Sequence, residues 1–397
     1  MRYQSYFNTA ARIIQQYNGT TPLQHFLKQY FSEHKKHGSK DRKIITHLCY
    51  SFYRLGKAFA DVNPEEKLKL AIFVCNDVIE DWKFLYEEEW VNNHTANLGN
   101  RIAFIKTKYV SFSLQDIFPF ISELSEGINT GEFIRSFLMQ PDVFIRTRPG
   151  HYATVTNKLQ QHTIAFTVVE ENCISLSPFT KIDTIINIDE EAVVQDYSSQ
   201  QIKSFLKIVE SAISYEGNLK PETSVWDCCA GSGGKSMLAY DILKNIELMV
   251  SDIRPSIIQN LKQRFAKAGI KQYKTLVNDL TNSKTQIPNS TYDLIICDAP
   301  CTGSGTWSRT PEQLYFFNKE KINEYALRQK KIVSAAIRSL KNNGYFLYIT
   351  CSVFKEENEK IAAFIRQLFN LELLKMEMIT GYDKKADTMF AALFKKT

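Results

Sequence analysis

Apolar side chains recur at helical spacing through the first part of the chain. Ile13, Ile14 and Tyr17 would share one face of a helix with about 3.6 residues per turn, and similar groups follow up to about residue 138. Short polar stretches that contain glycine separate these groups. We therefore predict an all-α domain over residues 1–138.

The pattern changes in the next part of the chain. Residues 143–147 alternate apolar and polar positions as a strand does, and further short strands are predicted at residues 165–169 and 184–188. A predicted helix covers residues 198–211. We interpret residues 139–220 as a small α+β connector.

Predicted strands and helices then alternate to the end of the chain. Strands are predicted at residues 224–227, 248–250, 273–277, 292–297 and 345–349, and two terminal strands follow. Strands that alternate with helices are typical of a parallel sheet covered on both faces. We predict an α/β fold for residues 221–397, with a doubly wound, mostly parallel seven-stranded sheet.

Composition adds limits on the class of protein. The chain has 397 residues, of which 44% are hydrophobic and 23% are charged, which is ordinary for a soluble protein of two or three domains. No apolar run approaches the roughly 18–20 residues that cross a bilayer, and the first residues lack the apolar stretch of a secretion signal. We expect a cytoplasmic protein with no membrane partner.

The charge is distributed unevenly. The net charge is +6, and the first 60 residues carry ten Lys and Arg against two Asp and Glu. Such a cationic face could bind phosphates of a nucleic acid, but it could equally be the solvated face of a helical bundle. Charge alone leaves both interpretations open.

The eight cysteines are scattered and form no C-x-x-C pair, which argues against a disulfide framework and a zinc ribbon. We predict no metal site. Cys301 and Cys351 follow the fourth and fifth predicted strands, at the sheet edge where open α/β folds bind ligands. A thiolate at that edge would be a strong nucleophile.

A glycine-rich loop connects the first predicted strand of the sheet to its helix. Gly234-Lys235-Ser236 has the ending of a phosphate-binding P-loop, but that motif needs glycine where this chain has Cys229. The other interpretation is an adenosyl-cofactor site, in which an acid ends the second strand to bind ribose hydroxyls. Asp252 stands there, and Asp279 follows the third strand. These acids favour the adenosyl cofactor.

These segments resemble the RNA cytosine-5 methyltransferase family of the Sun/Fmu (RsmB) type. The family's C-A-A-P-G-G-K-T loop matches residues 229–236, with Ser232 in the region of the usual proline, its D-A-P-C-S-G-x-G matches residues 298–305, and its T-C-S matches residues 350–352. The match covers about residues 140–397, and residues 39–54 resemble the NusB-like helical domain that precedes some of these enzymes. Two departures are Arg-Thr-Arg148 for the family's Arg-x-Asn, and Asp-Thr-Met-Phe390 for its D-G-F-F.

The resemblance implies a class I S-adenosylmethionine-dependent methyltransferase fold and a set of residue roles. Cys351 would attack carbon 6 of cytosine, Cys301 would assist product release, Asp298 would hold the base and Lys235 would support the same site. The residues implied for the cofactor are Cys229, Ala230, Gly231, Ser232, Gly233, Gly234, Lys235, Asp252, Asp279 and Asp298. The candidate RNA contacts are Arg146, Arg148 and Arg309.

Spacing alone leaves the two cysteine roles open, because DNA cytosine methyltransferases attack with the cysteine that follows proline. The expected substrate is a single-stranded or flipped cytosine of ribosomal RNA, and the expected state is a monomer. The alternatives are transfer RNA as the substrate, or a ribosome-assembly factor that binds RNA with weak catalysis.

Overall fold

The computed structural model describes residues 2–214, 223–282 and 290–397. The chain forms two compact units. The first consists of Met1–Ser122, Asn129–Gln140 and Thr306–Lys319, and the second of Glu123–Ile128, Pro141–Gly305 and Glu320–Thr397. The division into three domains at residues 138 and 220 remains a prediction.

The regular elements are numbered in chain order. The helices are α1 (Arg2–Gln16), α2 (Leu23–Glu33), α3 (Ser39–Arg54), α4 (Pro64–Cys75), α5 (Glu88–Asn93), α6 (Leu98–Lys108), α7 (Thr130–Phe137), α8 (Tyr152–Gln161), α9 (Tyr197–Gln201), α10 (Lys203–Ser214), α11 (Gly234–Leu243), α12 (Pro255–Lys267), α13 (Pro311–Phe316), α14 (Glu320–Ala336) and α15 (Glu359–Phe369). The strands are β1 (Val143–Thr147), β2 (Phe166–Glu170), β3 (Cys173–Leu176), β4 (Ala192–Val194), β5 (Thr223–Asp227), β6 (Ile246–Asp252), β7 (Tyr273–Val277), β8 (Tyr292–Asp298), β9 (Leu340–Thr350), β10 (Glu372–Ile379) and β11 (Met389–Lys395). No described helix is both long enough and apolar enough to cross a membrane.

The first unit is helical, as predicted, and its interior contains a buried arginine. Arg54, at the end of α3, donates hydrogen bonds to the backbone carbonyls of Phe137, Met139 and Ser308 at 3.1, 2.7 and 2.8 Å. Burial lowers the pKa of Arg54 to about 10. The guanidinium thus joins three separate stretches of chain within this unit by satisfying carbonyls that would otherwise lack partners.

The connector forms a four-stranded antiparallel sheet in the order β2-β3-β1-β4. Helix α8 covers it, with Val155 and Leu159 packed in the same apolar cluster as Ile145. The strand predicted at residues 184–188 is wrong. A turn lies there instead, closed by a hydrogen bond from the Ile186 N–H to the Ile182 carbonyl at 2.8 Å. Because this turn directs residues four apart to the same side, Ile182 and Ile186 are both buried.

The second unit also contains the predicted seven-stranded sheet, in the order β10-β11-β9-β8-β5-β6-β7. Strands β7, β6, β5, β8 and β9 are parallel neighbours, and β11 pairs antiparallel with β9 and β10. The carboxyl ends of the parallel strands therefore share one edge. The register brings Asp227 of β5 level with Ile296 of β8, and Asp298 of β8 level with Ile349 of β9.

Both faces of this sheet are buried, because its strands are apolar at successive positions. Val225 and Trp226 are neighbours in β5, yet they belong to two different apolar clusters. The cluster around Val225 includes residues of α10, α11 and α12, and the cluster around Trp226 includes residues of α14 and α15. The doubly wound α/β fold predicted from the sequence is confirmed.

Candidate active site

A cavity of about 500 Å³ opens at the carboxyl edge of the parallel strands. Many of the site residues that were predicted from the sequence line it. These include Cys229, Gly231, Asp252, Asp279, Asp298, Cys301 and Cys351. The structure thus brings together the glycine loop, the three strand-end acids and both cysteines in one part of the second unit.

The glycine loop depends on left-handed backbone at two positions. Gly231 has φ +53° and Gly233 has φ +86°, which side chains other than glycine rarely adopt. A Cβ at Gly233 would also lie 2.6 Å from the ring of Phe265. Helix α11 begins directly after this turn, so its first N–H groups face the loop.

Ser232, which stands where the resembled family has proline, is held by an ion-paired arginine. Arg264 Nη1 donates to the Ser232 carbonyl at 2.9 Å and to its hydroxyl at 3.0 Å. Arg264 in turn forms a salt bridge with Asp189 at 2.7 Å. These hydrogen bonds hold the loop in place at a position where the resembled family uses the fixed φ of proline.

Asp252 and Asp279 are both hydrogen-bonded as carboxylates. Asp252 accepts from the Gly231 N–H at 3.0 Å and from the Arg254 N–H and Nε at 2.9 Å. Burial would raise the pKa of Asp252, but the bonds from Arg254 and Gly231 lower it on balance. The Thr281 hydroxyl and N–H lower the pKa of Asp279. Both side chains are therefore ionised at neutral pH.

Asp298 is the end of a hydrogen-bonded chain that begins in the connector sheet. Lys235 Nζ donates to Asp298 Oδ2 at 3.1 Å and to Ser199 Oγ at 2.8 Å. Ser199 accepts from Gln195 Nε2 at 3.1 Å, and Gln195 accepts from Arg146 Nε at 2.9 Å. Gln195 and Ser199 thus position Lys235, which fixes one carboxylate oxygen of Asp298 at the cavity.

Arg146 and Arg148, two of the three arginines predicted as RNA contacts, are not among the residues that line this cavity. Arg146 and Arg148 both pair with buried Asp241, at 2.7 and 2.8 Å, and their side chains are only 7% and 11% exposed. Arg309 belongs to the first unit. Their role in binding RNA remains a prediction, but the guanidiniums of Arg146 and Arg148 bind protein carboxylate here, which gives these two residues a structural function.

The two cysteines of the matched motifs are in contact. Their sulfur atoms are 3.2 Å apart, within hydrogen-bonding distance, although 50 residues separate them in sequence. The hydrogen bond to Cys351 and burial raise the pKa of Cys301 well above its usual range. Cys301 therefore remains a protonated thiol that can donate to the Cys351 sulfur.

Glu357, which was not predicted from the sequence, is a buried carboxylate that links the two cysteine loops. Its Oε1 accepts from the hydroxyls of Thr302 and Ser352, both at 2.6 Å. Its Oε2 accepts from the Thr302 N–H at 2.9 Å and from Gln329 Nε2 at 3.0 Å. Burial raises the pKa of Glu357 despite these bonds. The available signal was that Thr302 and Ser352, polar residues next to each cysteine, need buried partners.

Gly305 ends the Cys301 loop where no side chain fits. Its N–H donates to the Cys351 carbonyl at 2.9 Å, and its carbonyl accepts from the Thr388 N–H at 3.0 Å. A Cβ would lie 2.0 Å from the Thr388 carbonyl oxygen. We expect Gly305→Ala to lower the free energy of unfolding by about 1–3 kcal/mol, measured by urea denaturation.

The control for this prediction is Gly234→Ala, because a Cβ at Gly234 meets no atom within 4 Å. It should leave the urea midpoint within the error of the measurement. Equal stability of the two variants would contradict the close approach at Gly305.

A group of three cysteines bears on the prediction that the chain holds no metal site. The sulfurs of Cys228, Cys229 and Cys297 lie within 4.8 Å of one another. Spacing could not reveal this group, because Cys228 follows β5 and Cys297 lies near the end of β8, strands that are distant in sequence but paired in the sheet. We call it the three-cysteine cluster.

Part of the second unit is similar to known proteins. Residues 216–394 match the family model described as 16S rRNA methyltransferase RsmB/F. The ribosomal RNA small subunit methyltransferase F of Psychromonas ingrahamii is 29% identical over 170 residues, which cover 42% of this chain and 35% of that protein. The ribosomal RNA small subunit methyltransferase B of an Enterobacter species is 32% identical over 162 residues, which cover 39% and 37%.

The chain thus matches little more than a third of the length of these two curated relatives. Among solved structures, the crystal structure of PH0851 aligns with a TM-score of 0.69 over 98% of both chains, at 21% sequence identity, which indicates a shared fold. No comparison bears on the NusB-like resemblance of the N-terminal helices. Residues 216–394, which carry the cavity and both cysteines, are thus similar to the methyltransferases that this family model describes.

Proposed function

We propose that this protein transfers a methyl group from S-adenosylmethionine to carbon 5 of a cytosine in RNA, most directly ribosomal RNA. The observation that carries the proposal is the pair of cysteine sulfurs 3.2 Å apart at a cavity that Asp298 also lines. Cytosine carbon 5 is a poor nucleophile, so methylation there needs covalent activation of the ring. A thiol with an adjacent proton donor is suited to that task.

The cavity has the size and the chemistry that an adenosyl cofactor needs. In this proposal Asp252, at the end of β6, would bind ribose hydroxyls, and Asp279, which follows β7, would face the adenine. Leu280 and Pro300 supply apolar wall for a purine. When bound, S-adenosylmethionine would supply an electrophilic methyl group on a positively charged sulfonium, which the nearby carboxylates favour.

Cys351 is the nucleophile in this proposal. Its thiolate would bond to carbon 6 of the cytosine, which turns carbon 5 into an enamine carbon that can accept the methyl group. After transfer, loss of the carbon-5 proton and cleavage of the sulfur–carbon bond would release 5-methylcytosine and regenerate Cys351. Asp298 would bind the polar edge of the base and could donate a proton to N3 as the adduct forms, and Lys235 would keep its carboxyl group oriented.

The raised pKa of Cys301 supports a proton-handling role for the second cysteine. A thiol that stays protonated is a poor nucleophile but a suitable hydrogen-bond donor to the sulfur beside it. During product release the same group could take up or return a proton. The proposal therefore assigns the proton-handling role to Cys301 and the attack to Cys351.

RNA as the substrate is supported by the names of the relatives, which are ribosomal RNA small subunit methyltransferases. The target base must be unstacked to admit the thiol to one face, so the substrate would be single-stranded or have a flipped cytosine. The basic residues of the N-terminal helices are candidates for phosphate contacts. Ribosomal RNA is the first substrate to test, and transfer RNA is the second.

The cofactor assignment predicts a specific loss of affinity. Asp252→Ala should weaken S-adenosylmethionine binding by about 10- to 100-fold, because charged hydrogen bonds contribute about 1.5–3 kcal/mol each. Isothermal titration calorimetry on the full chain measures this directly. The matched control is Glu247→Ala, an exposed acid in the same strand that pairs with Lys274 on the surface; it should bind the cofactor normally.

Two other results would redirect the proposal. Binding of ATP rather than S-adenosylmethionine would favour the P-loop interpretation of residues 229–236. Tight binding of RNA together with the cofactor, but no transfer of a labelled methyl group to any RNA, would favour an RNA-binding assembly factor.

A further inference from the structure

The three-cysteine cluster lies at the wall of the cavity, and none of its thiols takes part in the proposed covalent step. Cys228 and Cys229 line the cavity, and Cys229 is half-buried, whereas Cys297 is fully buried. Among the described residues, this is the one group of three His, Cys, Asp or Glu side chains whose donor atoms all lie within 4.8 Å. A free cysteine in a core is usually an isolated small apolar residue, which does not explain three convergent thiols beside a polar cavity.

The backbone that carries the cluster is fixed by the centre of the sheet. Cys297 lies in β8, and Cys228 follows β5, which pairs with β8. The Cys228 N–H donates to the Ile296 carbonyl at 2.9 Å, and the Ala230 N–H donates to the Ser251 carbonyl at 2.9 Å. The thiols are therefore held close together by rigid elements, so a ligand would not have to order them.

We infer that the three-cysteine cluster binds one thiophilic metal ion, such as Zn²⁺, in the wall of the cavity. Three thiolates around Zn²⁺ with Zn–S bonds of about 2.3 Å would have sulfurs about 3.8 Å apart. The observed separations, at most 4.8 Å, need to close by about 1 Å at most. Each cysteine that coordinates the ion releases its thiol proton to solvent, and the fourth position can be taken by water from the cavity.

The location of the cluster gives the ion an effect on the enzyme. Cys228 and Cys229 share the cavity with Asp252 and Asp279. If the proposed function holds, an ion bound there competes with S-adenosylmethionine. The site is thus inhibitory, because the ion would take as a ligand Cys229, one of the residues implied for the cofactor, and would occupy part of the same cavity.

The test is metal binding by the reduced full chain, independent of activity. Zn²⁺ is titrated in competition with a chromogenic chelator, and Cd²⁺ is titrated while the ultraviolet absorbance of cadmium–thiolate bonds is recorded. We expect one ion per chain and an absorbance change equal to three thiolates. Cys297→Ser and Cys229→Ser should each weaken Zn²⁺ binding by at least about 100-fold, since a hydroxyl is a poor replacement for a soft thiolate ligand.

Two controls keep the assignment specific. Cys173→Ser removes a buried cysteine of the connector sheet and should bind Zn²⁺ as the wild type does. The double variant Cys301→Ser/Cys351→Ser should also keep the ion, because the other cysteine pair is not part of the cluster. Circular dichroism of each variant establishes that it is folded. Because Cys229 is only half-buried, Cys229→Ser should disturb the core less than Cys297→Ser does.

The outcomes separate the metal site from the proposed function. Absence of stoichiometric binding, or loss of the ion in the Cys301→Ser/Cys351→Ser variant, would overturn the inference. Binding of Zn²⁺ without any binding of S-adenosylmethionine would support the site and refute the cofactor assignment. Equal affinity for S-adenosylmethionine with and without Zn²⁺ would refute the inhibitory role.

Discussion

Cys351→Ala is expected to lower methyl transfer at least about 1,000-fold, because it removes the nucleophile on which the proposed covalent step depends. The variant should form no covalent complex with RNA. Binding of S-adenosylmethionine should persist, since the residues proposed to hold the adenosine, Asp252 and Asp279, are unchanged. Loss of catalysis with retained cofactor affinity would therefore distinguish a catalytic residue from one that maintains the fold.

Cys301→Ala should give the opposite result on a denaturing gel. The adduct between Cys351 and cytosine would still form, but its breakdown would be slow without the neighbouring thiol at 3.2 Å. We expect a protein–RNA complex that survives denaturation and accumulates only when S-adenosylmethionine is present. Sequencing the trapped RNA would identify the modified cytosine.

The control for both variants is Cys173→Ala, which removes a buried thiol of β3 far from these motifs in sequence. It should behave as the wild type in both assays. An adduct in Cys351→Ala that is absent from Cys301→Ala would reverse the two roles. No adduct in any variant, with RNA still bound, would argue against a covalent mechanism.

Much of the catalytic fold was predictable because its strands are short apolar runs that end in chemically distinctive residues. Asp252, Asp298 and Cys351 each follow or end such a run, and parallel strands necessarily bring these ends to one edge. The alternation of strands and helices then determined the sheet. The prediction of a strand at residues 184–188 is wrong, because a buried turn with apolar residues four apart has the same composition as a short strand.

The parts of the site that could not be predicted depend on contacts between residues distant in sequence. Arg146 remains a predicted RNA contact, but its pairing with Asp241 could not be predicted, because it depends on how the connector folds against α11. The three-cysteine cluster forms only when β5 and β8 become neighbours. Glu357 carries no motif of its own, so its bonds to the two cysteine loops appear only in three dimensions.

Glu357→Gln should lower the rate of methyl transfer by about 100-fold, because displacements of about 1 Å in a reacting group can cost that much. The carboxylate accepts four hydrogen bonds from Thr302, Ser352 and Gln329. A glutamine of the same shape keeps one acceptor oxygen and has an amide NH₂ group in place of the other. That NH₂ group would face the Thr302 N–H and the Gln329 side-chain N–H, which are also donors. The loops that carry Cys301 and Cys351 would then shift relative to each other.

A positioning role requires a measurement that a general loss of stability would not reproduce. Single-turnover kinetics at saturating RNA and cofactor should show a slower chemical step, while the dissociation constant for S-adenosylmethionine stays within about twofold of the wild type. The matched control is Glu356→Gln, which removes the neighbouring acid that pairs with Lys360 at the surface; its rate should be unchanged. A Glu357→Gln enzyme with a wild-type chemical step would mean that the two cysteine loops hold their geometry without this carboxylate. Loss of cofactor binding in parallel with the rate would instead assign Glu357 to the stability of the whole edge of the sheet, since its partners lie on α14 and in the loops after β8 and β9.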